Sequence, residues 1–394
     1  MMLQRGLVAA FSTTLVIVVG AGAARAATEA GHDFLPEARA IWRVAACGSN
    51  TTLPSHMETA LVQTHCDTMA GLYQKFSERW LTKAEPFLKA LRPQGLPDKV
   101  VYPFGGGDLI TAAVTFPEAM LLTSLSIETV GDPRRINTIT AVELARTLNV
   151  TERNISNQFL VAHNRTEAMA AAEDDILPAQ LIYALVALTA LNQEPVSLRF
   201  FRISEAGALD YVTDADLVAV THQSAEMQAA LFASMELTFR SRGDAKAPLR
   251  TFRHLSANLD NAHLEAAPGV LRYLGAQGRV AAMTKAASYL LWGTRFTKIR
   301  DYLIANMAWM ISDSTGIAPE HLQGKGFEQI TYGTFEGPFL ANAIARLGDQ
   351  MITLWKSQPA RAVPVAYGYP DRNKHWHLMI TRPVARIENH GGAR

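Results

Sequence analysis

The chain has 394 residues, 37 Lys and Arg against 36 Asp and Glu, a hydrophobic share of 48% and two cysteines. So balanced a charge leaves no electrostatic footprint for nucleic acid or for an anionic membrane surface. The length is ample for a large buried core, and beyond the N-terminal region no stretch approaches the ~18 uninterrupted apolar residues of a membrane span.

Residues 1–26 carry Arg5, an apolar run over 7–19 and the small-residue ending Ala24, Arg25, Ala26. This pattern predicts a secretory signal peptide, hence a periplasmic or secreted protein of a Gram-negative bacterium. Cys47 and Cys66 then belong to an oxidising compartment, where a disulfide is the default and buried free thiols the alternative. Closing a loop of about 20 residues stabilises a fold by about 3 kcal/mol on the chain-entropy view.

From Asp33, an N-cap followed by Pro36, a first helix presents Ile41, Val44 and Ala45 on one side. Met57, Leu61, Val62, Met69, Leu72, Phe76 and Trp80 recur at three and four residues and predict one long amphipathic helix to about Arg92, with Cys66 on its apolar face. Residues 27–96 are therefore expected to form a helical lobe with a Cys47–Cys66 bridge, and residues 97–394 an α+β core.

Within that core, residues 100–104 predict a strand, Gly105, Gly106 and Gly107 a flexible turn, Asp108 a cap, and 109–115 a restarted strand. Residues 120–130 read as extended, 138–148 and 151–163 as two helices, and 176–191 as a buried helix. A strand over 196–203 slips its alternation at Phe200 and Phe201, which predicts a bulge there. Met235, Leu237 and Phe239 alternate with polar residues, and Arg242, Gly243 and Asp244 turn the chain into a partner strand over 249–255. Helices are expected over 268–274, 280–292 and 296–311, the last stopped by Ser312 to Gly316 with Gly316 left-handed. A strand over 327–335, an amphipathic helix over 339–355 and a hairpin of 363–369 with 375–381 complete the chain. The fold class is α+β: a helical N-terminal lobe, then a mixed or antiparallel sheet packed against several helices.

Four motifs carry a resemblance. Tyr102-Pro-Phe-Gly-Gly-Gly-Asp, Ala287-Ser-Tyr-Leu-Leu-Trp followed by Phe296 and Ile299-Arg300, Asp313-Ser-Thr-Gly-Ile, and Tyr332-Gly-Thr-Phe-Glu-Gly-Pro together resemble a group of exported bacterial proteins with no assigned activity. The resemblance spans most of the mature chain and implies export and a shared fold. The group's first motif usually reads Tyr-Pro-Phe-Ser-Gly-Pro-Asp, so Gly105 and Gly107 here stand where it has serine and proline, and the second acid usual before Ser-Gly in the later turn is missing.

Phosphate-loop, dinucleotide, nucleophile-elbow and zinc-protease patterns are absent, and no cofactor is indicated. His375-x-His377 has metal-like spacing on one face of a strand but no third ligand, so no metal is expected. Asp108 and Asp313, each beside a glycine turn, are the best carboxylate pair. Two functions stay open. In the first, an envelope or extracellular small molecule or glycan binds in a cleft at Tyr102, Gly105, Gly106, Gly107, Ser312, Ser314 and Tyr332, where amphipathic rings flank polar turns. In the second, a hydrolase of a glycan or other envelope substrate uses Asp108 and Asp313 as acid and base. That reading needs carboxylates about 5–9.5 Å apart across an open cleft and falls if either is buried in a backbone cap. Both require the two turns to face one cavity, with Asp108→Asn then nearly neutral for folding.

Overall fold

The computed structural model describes residues 31–49, 53–54, 57–161, 177–337 and 345–384. The expected signal peptide lies outside them, as do 162–163 of one expected helix and 339–344 of another.

Helix α1 (Leu35–Val44) starts where Asp33 Oδ1 accepts the N–H groups of Leu35 and Leu198, each at 3.0 Å, so the same carboxylate ties the helix to a strand far along the chain. The long second helix is interrupted: α2 (Thr59–Phe76) and α3 (Thr82–Leu91) are joined by a π-helical turn at Ser77–Leu81. The widened turn buries Trp80, whose indole N–H donates to the Ala366 carbonyl at 2.8 Å. Cys47 and Cys66 form a disulfide with their α-carbons 5.4 Å apart, linking the end of α1 to α2.

Among the described residues, ten strands form one mixed sheet. They are β1 (Lys99–Pro103), β2 (Leu121–Ser126), β3 (Gln193–Ile203), β4 (Leu209–Tyr211), β5 (Ser234–Ser241), β6 (Arg250–Ser256), β7 (Val280–Thr284), β8 (Met307–Ser312), β9 (Phe327–Gly333) and β10 (His377–Pro383). Their order is β4-β3-β5-β6-β2-β1-β7-β8-β10-β9. The centre, β6-β2-β1-β7-β8, is parallel. Antiparallel strands flank it on both sides. The α+β expectation of a mixed sheet with packed helices is met.

Successive side chains of the central strands enter two different cores. Val100, Ala281, Met283, Trp309 and Ile311 join one apolar cluster with α1, α2, α3, α4 (Leu109–Thr115) and the buried helix α5 (Ala179–Ala190). Val101, Ala282 and Met310 join the other, with Ile299 and Leu303 of α6 (Thr297–Asn306). Phe34, just before α1, and Ile41, Met69 and Leu88 from the N-terminal helices lie in the first cluster, continuous with the sheet.

Several elements depart from expectation. Residues 109–115 form helix α4 instead of a restarted strand, because Asp108 Oδ1 caps it through the Thr111 N–H at 3.3 Å. The helix expected over 280–292 is β7 followed by a 3₁₀ segment, Ala286–Trp292, and the one over 296–311 is α6 followed by β8. All five residues of β7 are buried, and a strand covered on both faces shows no alternation to read. Consequently Ser312 to Gly316 ends a strand, and Gly316 is not left-handed. The two helices expected over 138–163 are one, Ala141–Val161. The register shift in β3 falls at Pro195/Ser197, where proline lacks the ladder N–H, and not at Phe200. The terminal hairpin does not form: β10 pairs with β9 and β8, while 363–369 is irregular.

Candidate functional site

From β1 the chain crosses to β2 on one side and later reaches β6 beyond it, whereas β7 lies on the other side of β1 and leads to β8. The loops leaving β1 and β7 therefore diverge, and in parallel sheets a crevice opens beyond the strand ends at such a point. A cavity of about 530 Å³ lies there. Phe104 and Gly105 after β1, Ser126 and Glu128 at the end of β2, Asn258 and Asp260 after β6, and Lys285 after β7 line it. Tyr289, Phe296 and Tyr369 add rings, and Arg295 stands at the rim, 81% exposed.

Two of the five non-glycine residues with positive φ among the described residues line this cavity. Phe104 and Ala286, the residues that leave β1 and β7, have φ of 60° and 59°. The left-handed region costs an L-residue about 1–2 kcal/mol, so the surrounding packing holds both turns in place.

The glycine turn is packed from within. A Cβ on Gly105 would lie 2.6 Å from the Tyr102 ring, and one on Gly107 would lie 2.7 Å from Gln180 Oε1. The Gly106 carbonyl accepts from Ser124 Oγ at 2.6 Å and lies 3.3 Å from His254 Nδ1. Of the three glycines only Gly105 lines the cavity. Their close approaches are to the protein's own side chains.

Asp108 is buried, and so is the cation it meets: Lys285 Nζ is 2.5 Å from Asp108 Oδ2 and 2.8 Å from Thr111 Oγ1. Tyr102 donates its hydroxyl to Asp108 Oδ2 at 3.0 Å. Asp313 is equally enclosed. Its Oδ1 accepts the Thr315 N–H at 2.8 Å and the Thr315 hydroxyl, and its Oδ2 accepts the N–H groups of Ala286 and Tyr369, each at 3.0 Å. Burial, with Asp108 beside it, pushes the Tyr102 phenol well above its ordinary range, and burial with Asp313 does the same for Tyr367, so both stay neutral.

The two turns thus meet around consecutive residues, Lys285 held by one aspartate and Ala286 by the other. Asp313 does not line the cavity itself; it fixes Ala286 and Tyr369, which do. Both carboxylates are consumed by buried partners, which is the condition that removes the acid and base pair. Among the remaining expected site residues, Ser312 is buried at the end of β8, and Ser314 Oγ lies 2.8 Å from His377 Nε2. Tyr332 does not line the cavity: its ring packs on Phe87 and under Arg361. His375 precedes β10 and faces Asp371 at 3.2 Å, while His377 is buried against Phe335 and Trp355.

Lys285, Glu128, Ser126 and Asp260 escape the sequence reading. Lys285 left a signal, being the only charge between Val280 and Trp292. Glu128 left a fainter one as the first charge after the apolar run of β2. No family model, no curated protein and no solved structure matches the chain.

Proposed function

We propose that this is an exported protein that binds a small extracytoplasmic ligand in the cavity beyond the parallel strand ends. The carrying observation is that Ser126 Oγ and Glu128 Oε2, on residues lining that cavity, are buried without a hydrogen-bond partner among the described residues. Buried polar atoms left unpaired cost about 1–3 kcal/mol each, a cost that a complementary ligand or its displaced water offsets. The strained turns at Phe104 and Ala286 and the crevice at the strand crossover support the same location. The disulfide supports export, and no helix among the described residues is long and apolar enough to cross a membrane.

A thermal-shift screen with envelope fragments and glycans tests this, run in parallel on wild type and on Ala287→Trp, whose indole at a lining position would obstruct part of the cavity. Ligands of the site should raise the melting temperature of wild type alone, by mass action. Hits that stabilise both proteins equally bind elsewhere and overturn the assignment.

A further inference from the structure

We infer that the ligand of this cavity carries a cationic nitrogen, a protonated amine or small ammonium group, with Glu128 as its counter-ion. The inference rests on the binding role proposed above and assigns the chemistry of the ligand.

Among the described residues, the charges that line the cavity pair off with one exception. Lys285 is matched by Asp108 at 2.5 Å. Asp260, 5% exposed, takes the His263 N–H at 2.9 Å, lies 2.7 Å from His263 Nδ1 and faces Arg295 at 3.4 Å. Glu128 is 4% exposed, and its Oε2 meets no donor and no cation among the described residues. Its neighbour His254 cannot serve as counter-ion. The ring approaches the Glu128 carbonyl at 2.9 Å, not the carboxylate, and burial lowers its pKa and keeps it neutral.

A carboxylate enclosed without a partner is among the least favourable arrangements in a folded chain, and an incoming cation relieves it where an anion adds repulsion. The walls suit the same group. Phe104 and Phe296 meet edge to face at 5.7 Å beside Tyr289, and a ring face attracts an ammonium that has shed its water. Ser126, whose buried hydroxyl is also unpartnered, borders the same wall.

Isothermal titration near pH 6 with isosteric pairs reads the charge directly: 2-phenylethylamine against 2-phenylethanol, and glucosamine against glucose. The amine of at least one pair should bind roughly tenfold or more tightly than its hydroxyl partner, as a charge-assisted hydrogen bond provides. Glu128→Gln should erase that gap. Equal affinities within both pairs, blocked by Ala287→Trp, would leave the cavity as a binding site and sink the cationic ligand, as would a gap that survives Glu128→Gln. The wild-type comparison stands if that variant does not fold. Absence of binding by all four probes at millimolar concentration also overturns the inference, whatever the wider screen finds for the cavity.

Discussion

At the residue scale, the Asp108 and Lys285 pair sets the terms. Asparagine can replace aspartate as a helix cap at little cost, so the cap alone predicts near-neutrality for Asp108→Asn. The buried ammonium changes that. Removing one partner of a buried ion pair leaves an uncompensated charge, and Asp108→Asn should lose about 3–5 kcal/mol in urea denaturation, with Lys285→Met similar. Asp108→Leu/Lys285→Met should recover a large part of the loss, since apolar replacement of a whole pair is often neutral. Additive losses in that double variant would mean that the two residues act through separate contacts. Asp313→Ala should cost at least about 3 kcal/mol, because it strips acceptors from the buried N–H groups of Ala286 and Thr315 and from the partly buried one of Tyr369.

At the element scale, legibility followed burial pattern. The strand at Ser234–Ser241 and its partner across the Arg242 turn were readable because period-two alternation of apolar and polar residues agreed with the turn chemistry. By contrast, β7 and β8 were misread as helix: alanine and methionine favour helix locally, and strands enclosed between two helical layers carry no alternation. That misreading hid Lys285, which gains its meaning only as the residue that leaves a central strand. The disulfide belongs to this scale too, since it staples α1 to α2 across a sequence separation of 19. Alkylation before intact-mass measurement should find no free thiol, and Cys47→Ser/Cys66→Ser should lower stability by about 3 kcal/mol.

At the scale of the whole molecule, stability should fall on mild acidification. His254 and His377 are enclosed, and burial lowers both pKa values. The unfolded chain therefore takes up protons from about pH 6.5 downward while the folded chain does not, and stability present above that pH is lost as pH falls toward the depressed folded values. Each histidine contributes a slope of up to about 1.4 kcal/mol per pH unit in that window. Urea midpoints between pH 7 and 5 should show the decline, and His377→Gln should flatten it. An unchanged slope in the variant would assign the decline to other groups. The candidate site was legible only in part for a reason of the same scale. The glycine turn and Asp313 announce themselves locally, but the cavity is built from the ends of β1, β2, β6 and β7, whose adjacency is a property of strand order alone.

That strand order also dictates a timetable for assembly. Val100 pairs with Leu122 soon after both are made, but its other neighbour, Ala281, is synthesised much later. Until then a central strand of the finished sheet stands with one ladder unpaired and its apolar side chains uncovered. Chains stalled or cleaved before β7 should be those that self-associate, because an open β edge accepts any strand offered. Refolding from denaturant should be slow for the same reason: distant segments must find each other before the centre of the sheet can close.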